Sequence, residues 1–303
     1  MRMIETLCAI LWAGATVVVP TECLADPASP DQFTPKITMP PATIRKPAYD
    51  LRHSRPSPAK MNMVTIQPGK VMLGSPRGQA KRQRFEGPQV EVNIPYRFEV
   101  GKFEVTFDDW NNCLAGGGCR GYRPKDKGWG KGKRPVTNVS YDDVQSYIRW
   151  LNRSTGLKYR LLSEAEWEYV ATANSGGPFA MGHAISAQDA NFDGANPYGV
   201  NKTGRYLRKT LPVGSFAPNN FGLYDVHGNV YEWVEDCWSP THEGAPTNGK
   251  ARKNGNCKFR VMKGGSWVTH GYQMRKGARI RYVTDYRYDD YGFRIARTLE
   301  PAR

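Results

Sequence analysis

From residue 174 onwards the chain abandons every regular hydrophobic period yet keeps supplying large aromatic side chains. Phe192, Tyr198, Phe221, Trp233, Trp238, Tyr282 and Phe293 are scattered among glycines, asparagines and prolines. Neither long helices nor a regular barrel can be built from such a stretch, because neither the 3.6-residue nor the 2-residue repeat is present. Disorder is equally excluded, since each aromatic side chain brings roughly 150–250 Å² of surface to bury. The prediction is an ordered, loop-rich half with short strands at 260–263 and 292–296. No internal repeat is visible.

The first half is more regular. Val90-Glu91-Val92-Asn93-Ile94 alternates strictly and predicts a half-buried strand; 63–66, 71–74 and 98–105 read as further strands. Three helices announce themselves by their starts. Thr106, Ser140 and Ser163 each precede a carboxylate three residues on (Asp109, Asp143, Glu166), the pattern of a reciprocal cap. In the second helix Val144, Tyr147, Ile148 and Leu151 fall on one face, and Gly156 ends it. The third is expected to turn Trp167, Val170 and Ala171 inward. These elements make an irregular α+β domain, expected over residues 61–300.

Two segments precede it. In residues 1–25, Arg2 leads into an apolar run from Leu7 to Val19. Pro20 breaks that run, and Cys23-Leu24-Ala25 offers small residues for cleavage, which predicts an export signal. The run is shorter than the roughly 20 residues a bilayer span needs. Residues 26–60 carry Pro27, Pro30, Pro35, Pro40, Pro41, Pro47, Pro56 and Pro58, a tether that forbids helix or ladder. The expected location is therefore periplasmic or secreted, with membrane contact only through an uncleaved N-terminal segment.

Export gives the cysteines their meaning. Cys8 and Cys23 fall in the signal; Cys113, Cys119, Cys237 and Cys257 remain, an even number that in an oxidising compartment predicts two disulfides. Three pairings exist; Cys113 with Cys119 and Cys237 with Cys257 closes the shortest loops. The larger of those loops would stabilise the fold by about 3 kcal/mol on the chain-entropy model. Zinc is disfavoured, because no Cys-x2-Cys knuckle or histidine pair accompanies the cysteines. The formal charge is +15, with basic knots at 81–84 and 125–134. No recognition helix or base-stacking motif goes with them, so nucleic acid is not the expected partner; the charge favours acidic partners.

Six ordered segments now resemble one family. They are Phe103-Glu104-Val105-Thr106, then Arg134 to Ser140 (RPVTNVS), Arg160 to Glu168 (RLLSEAEWE), Phe221 to Trp233 (FGLYDVHGNVYEW), and finally Gly264-Gly265-Ser266-Trp267 with Gly292-Phe293-Arg294. The chain is similar to the formylglycine-generating enzyme, or sulfatase-modifying factor, family. The resemblance implies a loop-rich fold with a C-type-lectin-like core. The family's best-known activity, oxidation of a sulfatase cysteine to formylglycine, uses two cysteines after the Gly-Gly-Ser motif that hold copper(I) as soft thiolates. Here Thr269 stands at the first of those positions, and no cysteine follows Cys257. A hydroxyl cannot replace a thiolate on copper(I), so no copper is expected. His270 and Met274 are read as a surface histidine and a packed methionine.

The resemblance also implies a structural calcium ion, held by the carboxylates of Asp225 and Glu232 and the carbonyls of Gly228 and Val230, an oxygen-only set suited to a hard cation. A second family site would use Asn191 and the Phe192 carbonyl, but its acidic partner aligns with Arg205. Trp267, Thr269, His270, Arg279, Asp290 and Arg294 match positions of the substrate groove, no catalytic residue being assigned. The implied function is that of a divergent exported oxidoreductase or maturation factor acting on a peptide-like substrate, akin to family members that mature a peptide siderophore without the copper cysteines. The alternative is a non-catalytic, calcium-stabilised lectin-like module for an envelope protein, peptide or glycan.

Overall fold

All three expected helix starts are formed capping boxes in the computed structural model, which describes residues 61–299. Thr106 Oγ1 accepts from the Asp109 N–H, and Asp109 accepts from the Thr106 N–H, opening α1 (Phe107–Ala115). Ser140 with Asp143 opens α2 (Tyr141–Thr155), and Ser163 with Glu166 opens α3 (Glu164–Thr172). α2 closes on Gly156 at φ 72°, a conformation glycine adopts without steric cost. The expected export segment and tether lie outside the described residues, as does residue 300. Among the described residues no helix is long and apolar enough to cross a membrane.

Ten strands surround these helices: β1 (Met63–Ile66), β2 (Gly69–Leu73), β3 (Val90–Ile94), β4 (Phe98–Gly101), β5 (Tyr159–Arg160), β6 (Tyr231–Trp238), β7 (Asn256–Lys263), β8 (Ile280–Val283), β9 (Tyr291–Gly292) and β10 (Ala296–Thr298). They form one sheet in the order β1-β4-β10-β5, a second in the order β8-β7-β6-β9, and a β2–β3 hairpin. The strand expected over 292–296 is two strands. β9 pairs in parallel with β6, and β10 crosses to the other sheet, pairing antiparallel with β4 and β5. Phe293 and Arg294 lie at that crossing. The strand expected over 98–105 stops at Gly101.

Two large aromatic cores and a smaller cluster around Phe179 fill the unit. Trp110, Tyr147, Trp233 and Phe293 pack around α1 and α2, while Phe98, Trp167, Val234 and Val261 pack around α3. α3 lies against β2, β6 and β7, and every one of its residues is buried, not only the three expected to point inward. Its glutamates are therefore all paired: Glu164 with Arg279 at 2.8 Å, Glu166 with Arg160 at 2.6 Å, and Glu168 with Lys263 at 2.9 Å. Unpaired, such buried charges would cost several kcal/mol each. The disulfides follow the local pairing. Cys113–Cys119 ties the end of α1 to the following turn, and Cys237–Cys257 staples β6 to β7.

Candidate functional site

The turn from Asp225 to Glu232 is shaped by left-handed backbone at Asp225, Gly228 and Asn229 (φ 53°, 83° and 60°). Below it Arg294 clamps Glu232. Nε lies 2.9 Å from both carboxylate oxygens and Nη2 2.7 Å from Oε1, and Glu232 Oε2 also accepts from Trp167 Nε1 at 2.8 Å. Glu104, which sequence reasoning quoted in a motif but gave no role, is buried in the same place. It accepts from the Asn229 side chain at 2.8 Å and from the Val230 N–H at 3.3 Å. Burial first, then the neighbouring Asp225 and Glu232, push the Glu104 carboxyl well above its ordinary range. Burial also raises Asp225 to about 6, although a hydrogen bond from the Gly214 N–H opposes this.

Two buried carboxylates and the half-buried Asp225 thus share the field of one guanidinium, which pairs directly with Glu232. The oxygens that would hold a hard cation here are those of Asp225 and the Gly228 and Val230 carbonyls, and the buried Glu104 adds negative charge nearby. Glu232 is placed differently, its oxygens engaged by Arg294 and Trp167. No group of three or more histidine, cysteine or acidic side chains among the described residues is gathered closely enough to hold a metal on its own. At the second expected position, Asn191 Nδ2 donates to the Lys209 carbonyl and to Asn229 Oδ1, while its Oδ1 is buried without a partner. Phe192 is core, and Arg205 is exposed.

The turn after Gly265 carries most of the residues expected in the groove. A Cβ added to Gly265 would lie 2.7 Å from Met274 Sδ and 3.0 Å from Thr269 Oγ1, so these two side chains converge on one glycine. Thr269 Oγ1 is committed to its own turn, accepting from the Ser266 N–H and donating to the Ser266 carbonyl. Met274 is fully buried against Phe179, Ile185 and Phe192. His227 fixes its backbone: Nε2 accepts from the Ala180 N–H, so Nδ1 carries the proton donated to the Met274 carbonyl at 2.8 Å. A turn-bound hydroxyl and a thioether in hydrocarbon do not fit copper(I), and all four cysteines among the described residues are in disulfides.

Beside them Asp290 is 3% exposed. Its Oδ2 accepts from Ser266 Oγ at 2.6 Å, and its Oδ1 has no partner. Burial, with Asp289 adding to it and the Ser266 bond opposing, raises Asp290 to about 6. Tyr231 stands next to it, donating its backbone N–H to the Asp290 carbonyl and accepting from Gln273 Nε2 at 3.3 Å through its hydroxyl. Trp267 is stacked by Tyr206 at 6.3 Å and met at right angles by Trp129 at 5.2 Å. His270 is exposed, 3.6 Å from Asp193. Trp267, Thr269, His270 and Asp290 are thus brought to one region. Arg294 instead lies under the turn with Glu232, and Arg279 is drawn to Glu164, stacked on Trp238 at 4.4 Å. Ser266, Tyr231, Trp129 and Tyr206 were missed; only the quoted Gly-Gly-Ser-Trp and Tyr-Glu-Trp motifs carried a signal for the first two.

Comparison with known proteins gives these arrangements a context. The family model described as Sulfatase-modifying factor enzyme 1-like domain matches residues 49–299. The formylglycine-generating enzyme of Bos taurus is 34% identical over 170 residues, covering 54% of this chain and 43% of that protein. The inactive C-alpha-formylglycine-generating enzyme 2 of Mus musculus is 30% identical over 170 residues, covering 54% of this chain and 48% of that protein. The alignment thus spans about half the length of the curated relatives. Among solved structures, PvdO from Pseudomonas aeruginosa is 37% identical with a TM-score of 0.67, covering 78% of this chain and 94% of that one.

Proposed function

Since this chain belongs to the sulfatase-modifying factor enzyme 1-like family, we propose that it is a divergent, exported oxidoreductase or maturation factor that acts on a peptide-like substrate without copper(I). The observation that carries this reading is the pairing of a thiol-free Thr269–Met274 position with Asp290, a carboxylate whose Oδ1 is buried without a partner and whose affinity for protons lies near neutrality. Such a group is suited to general-base work. In a dehydrogenation, the substrate would give one proton to Asp290 and two electrons to dioxygen; with the second proton, and the first when Asp290 is regenerated, the oxidant leaves as hydrogen peroxide. Trp267, Tyr206 and Trp129 would hold the substrate, and Ser266 and Tyr231 would orient the base. Export is supported by the two disulfides, which suit an oxidising compartment, and structural calcium by the charge excess around Asp225 and Glu104.

The test is dioxygen uptake by the purified full chain against a panel of tyrosine- and cysteine-bearing peptides, with Asp290→Asn alongside. Uptake with one peptide class, lost in Asp290→Asn while peptide affinity is kept, supports the reading. Binding without uptake by any peptide favours the second reading, a non-catalytic module for a peptide, protein or glycan of the envelope. The aromatic groove suits that role too, and one similar mouse protein is named as inactive.

A further inference from the structure

The strong positive charge finds a place at the groove. Both loops whose aromatic rings touch Trp267 are studded with cations. The loop that carries Trp129 also carries Lys125, Lys131 and Lys133, and the loop that carries Tyr206 also carries Lys202, Arg205 and Arg208; all six cations are exposed. None of them is in an ion pair with a described residue: the salt bridge on these loops is Lys127 with Asp289, at 2.7 Å. Of the nearby acids, Asp108 lies beside Gly132, and two others are occupied locally. Asp126 accepts from the Gly128 and Gly130 N–H groups of its own loop, and Asp193 binds Asn196 at 2.7 Å. The loops are also tied to each other, Val213 donating to the Lys133 carbonyl at 2.9 Å and Arg134 to the Thr210 carbonyl. The cations therefore sit on two tied loops beside the aromatic rings, Arg208 5.2 Å from the Tyr206 ring and Lys131 5.9 Å from the Phe107 ring, and their charge concentrates ligands of opposite sign.

We propose that this face recognises an acidic peptide segment, its carboxylates held by the 125–134 and 202–209 loops and an apolar or aromatic side chain laid against Trp267. The inference rests on the groove being the working site and adds the charge class of what enters it. A peptide is favoured over a uronate chain because Trp267, stacked by Tyr206 and met end-on by Trp129, offers walls for side chains instead of an open flat platform for a sugar ring.

Binding, not turnover, reads it out. A fluorescent eight-residue peptide with four glutamates and a central tyrosine is titrated into the full chain, beside the same peptide with glutamines. The expected result is a preference for the glutamate peptide of roughly tenfold, fading as salt is raised from about 50 to 500 mM. Lys131→Glu with Lys133→Glu, and separately Lys202→Glu with Arg205→Glu, should each weaken binding by about tenfold. Arg149→Glu with Arg153→Glu, an equal charge change on exposed positions of α2, should leave it unchanged. Equal binding of the glutamine peptide, equal loss in the α2 variant, or displacement by a uronate oligomer at matched charge concentration overturns the proposal. A glutamate peptide that binds but is never oxidised sinks the oxidoreductase reading alone; turnover of a neutral peptide without preference for carboxylates sinks this one alone.

Discussion

Arg294 grips both carboxylate oxygens of Glu232, at 2.7 to 2.9 Å, and passes its remaining N–H groups to the Gly101 and Tyr224 carbonyls. The pair lies where the chain crosses from β9 in one sheet to β10 in the other, so it fastens the two sheets and the turn above them. Removing one partner of a buried pair leaves the other charge unsatisfied. Arg294→Met should therefore lower unfolding free energy by about 3–5 kcal/mol in urea titration. The double variant with Glu232→Gln should lose less than the sum of the two single losses.

The stability of the groove should depend on pH with a definite sign. Asp290 is raised from 3.8 to about 6 in the folded protein. Below pH 4 both folded and unfolded chains hold this proton. Between about 4 and 6 the folded protein keeps a proton that the unfolded chain has released, so this group's contribution is lost as pH rises. Asp290→Asn should gain on the parent protein from pH 4.5 to 7, by up to about 3 kcal/mol; a difference independent of pH would show that Asp290 is not held protonated.

Calcium, if bound at the 225–232 turn, must stabilise the fold by mass action. Chelation is expected to lower the melting temperature by roughly 5–10 °C, and Asp225→Ala should abolish the response. Because Glu232 is already held by Arg294, its contribution to the calcium response should be smaller than that of Asp225.

Cys237 and Cys257, 20 residues apart in sequence, join adjacent strands. Replacing both with alanine should cost about 3 kcal/mol, read as a lower denaturant midpoint. Reductant should reproduce the loss in the parent protein and have a smaller effect on the variant, through Cys113–Cys119.

What the sequence made legible follows from locality. Capping boxes and the alternating strand at Val90–Ile94 are set by residues a few positions apart, and all of them formed. β6 was not foreseen, because seven of its eight residues are buried and no alternation exists to be seen. The glutamates of α3 resemble a solvated face in sequence; only their distant partners, Arg160, Lys263 and Arg279, make burial affordable. The same distance effect separates the candidate site into parts. Trp267, Thr269 and His270 are neighbours in the chain and stay together, whereas Arg279 is drawn away by Glu164, and Glu104 joins Asp225 from more than a hundred residues upstream.

The most direct measurement combines copper(I) with a cysteine-containing sulfatase peptide. The purified chain is incubated with both under air, metal content is determined after gel filtration, and the peptide is analysed by mass spectrometry. With Thr269 bound to its own turn and Met274 sealed in hydrocarbon, the predicted result is no stoichiometric copper and an unchanged cysteine. One equivalent of retained copper(I), or a formyl group on the peptide, would contradict it.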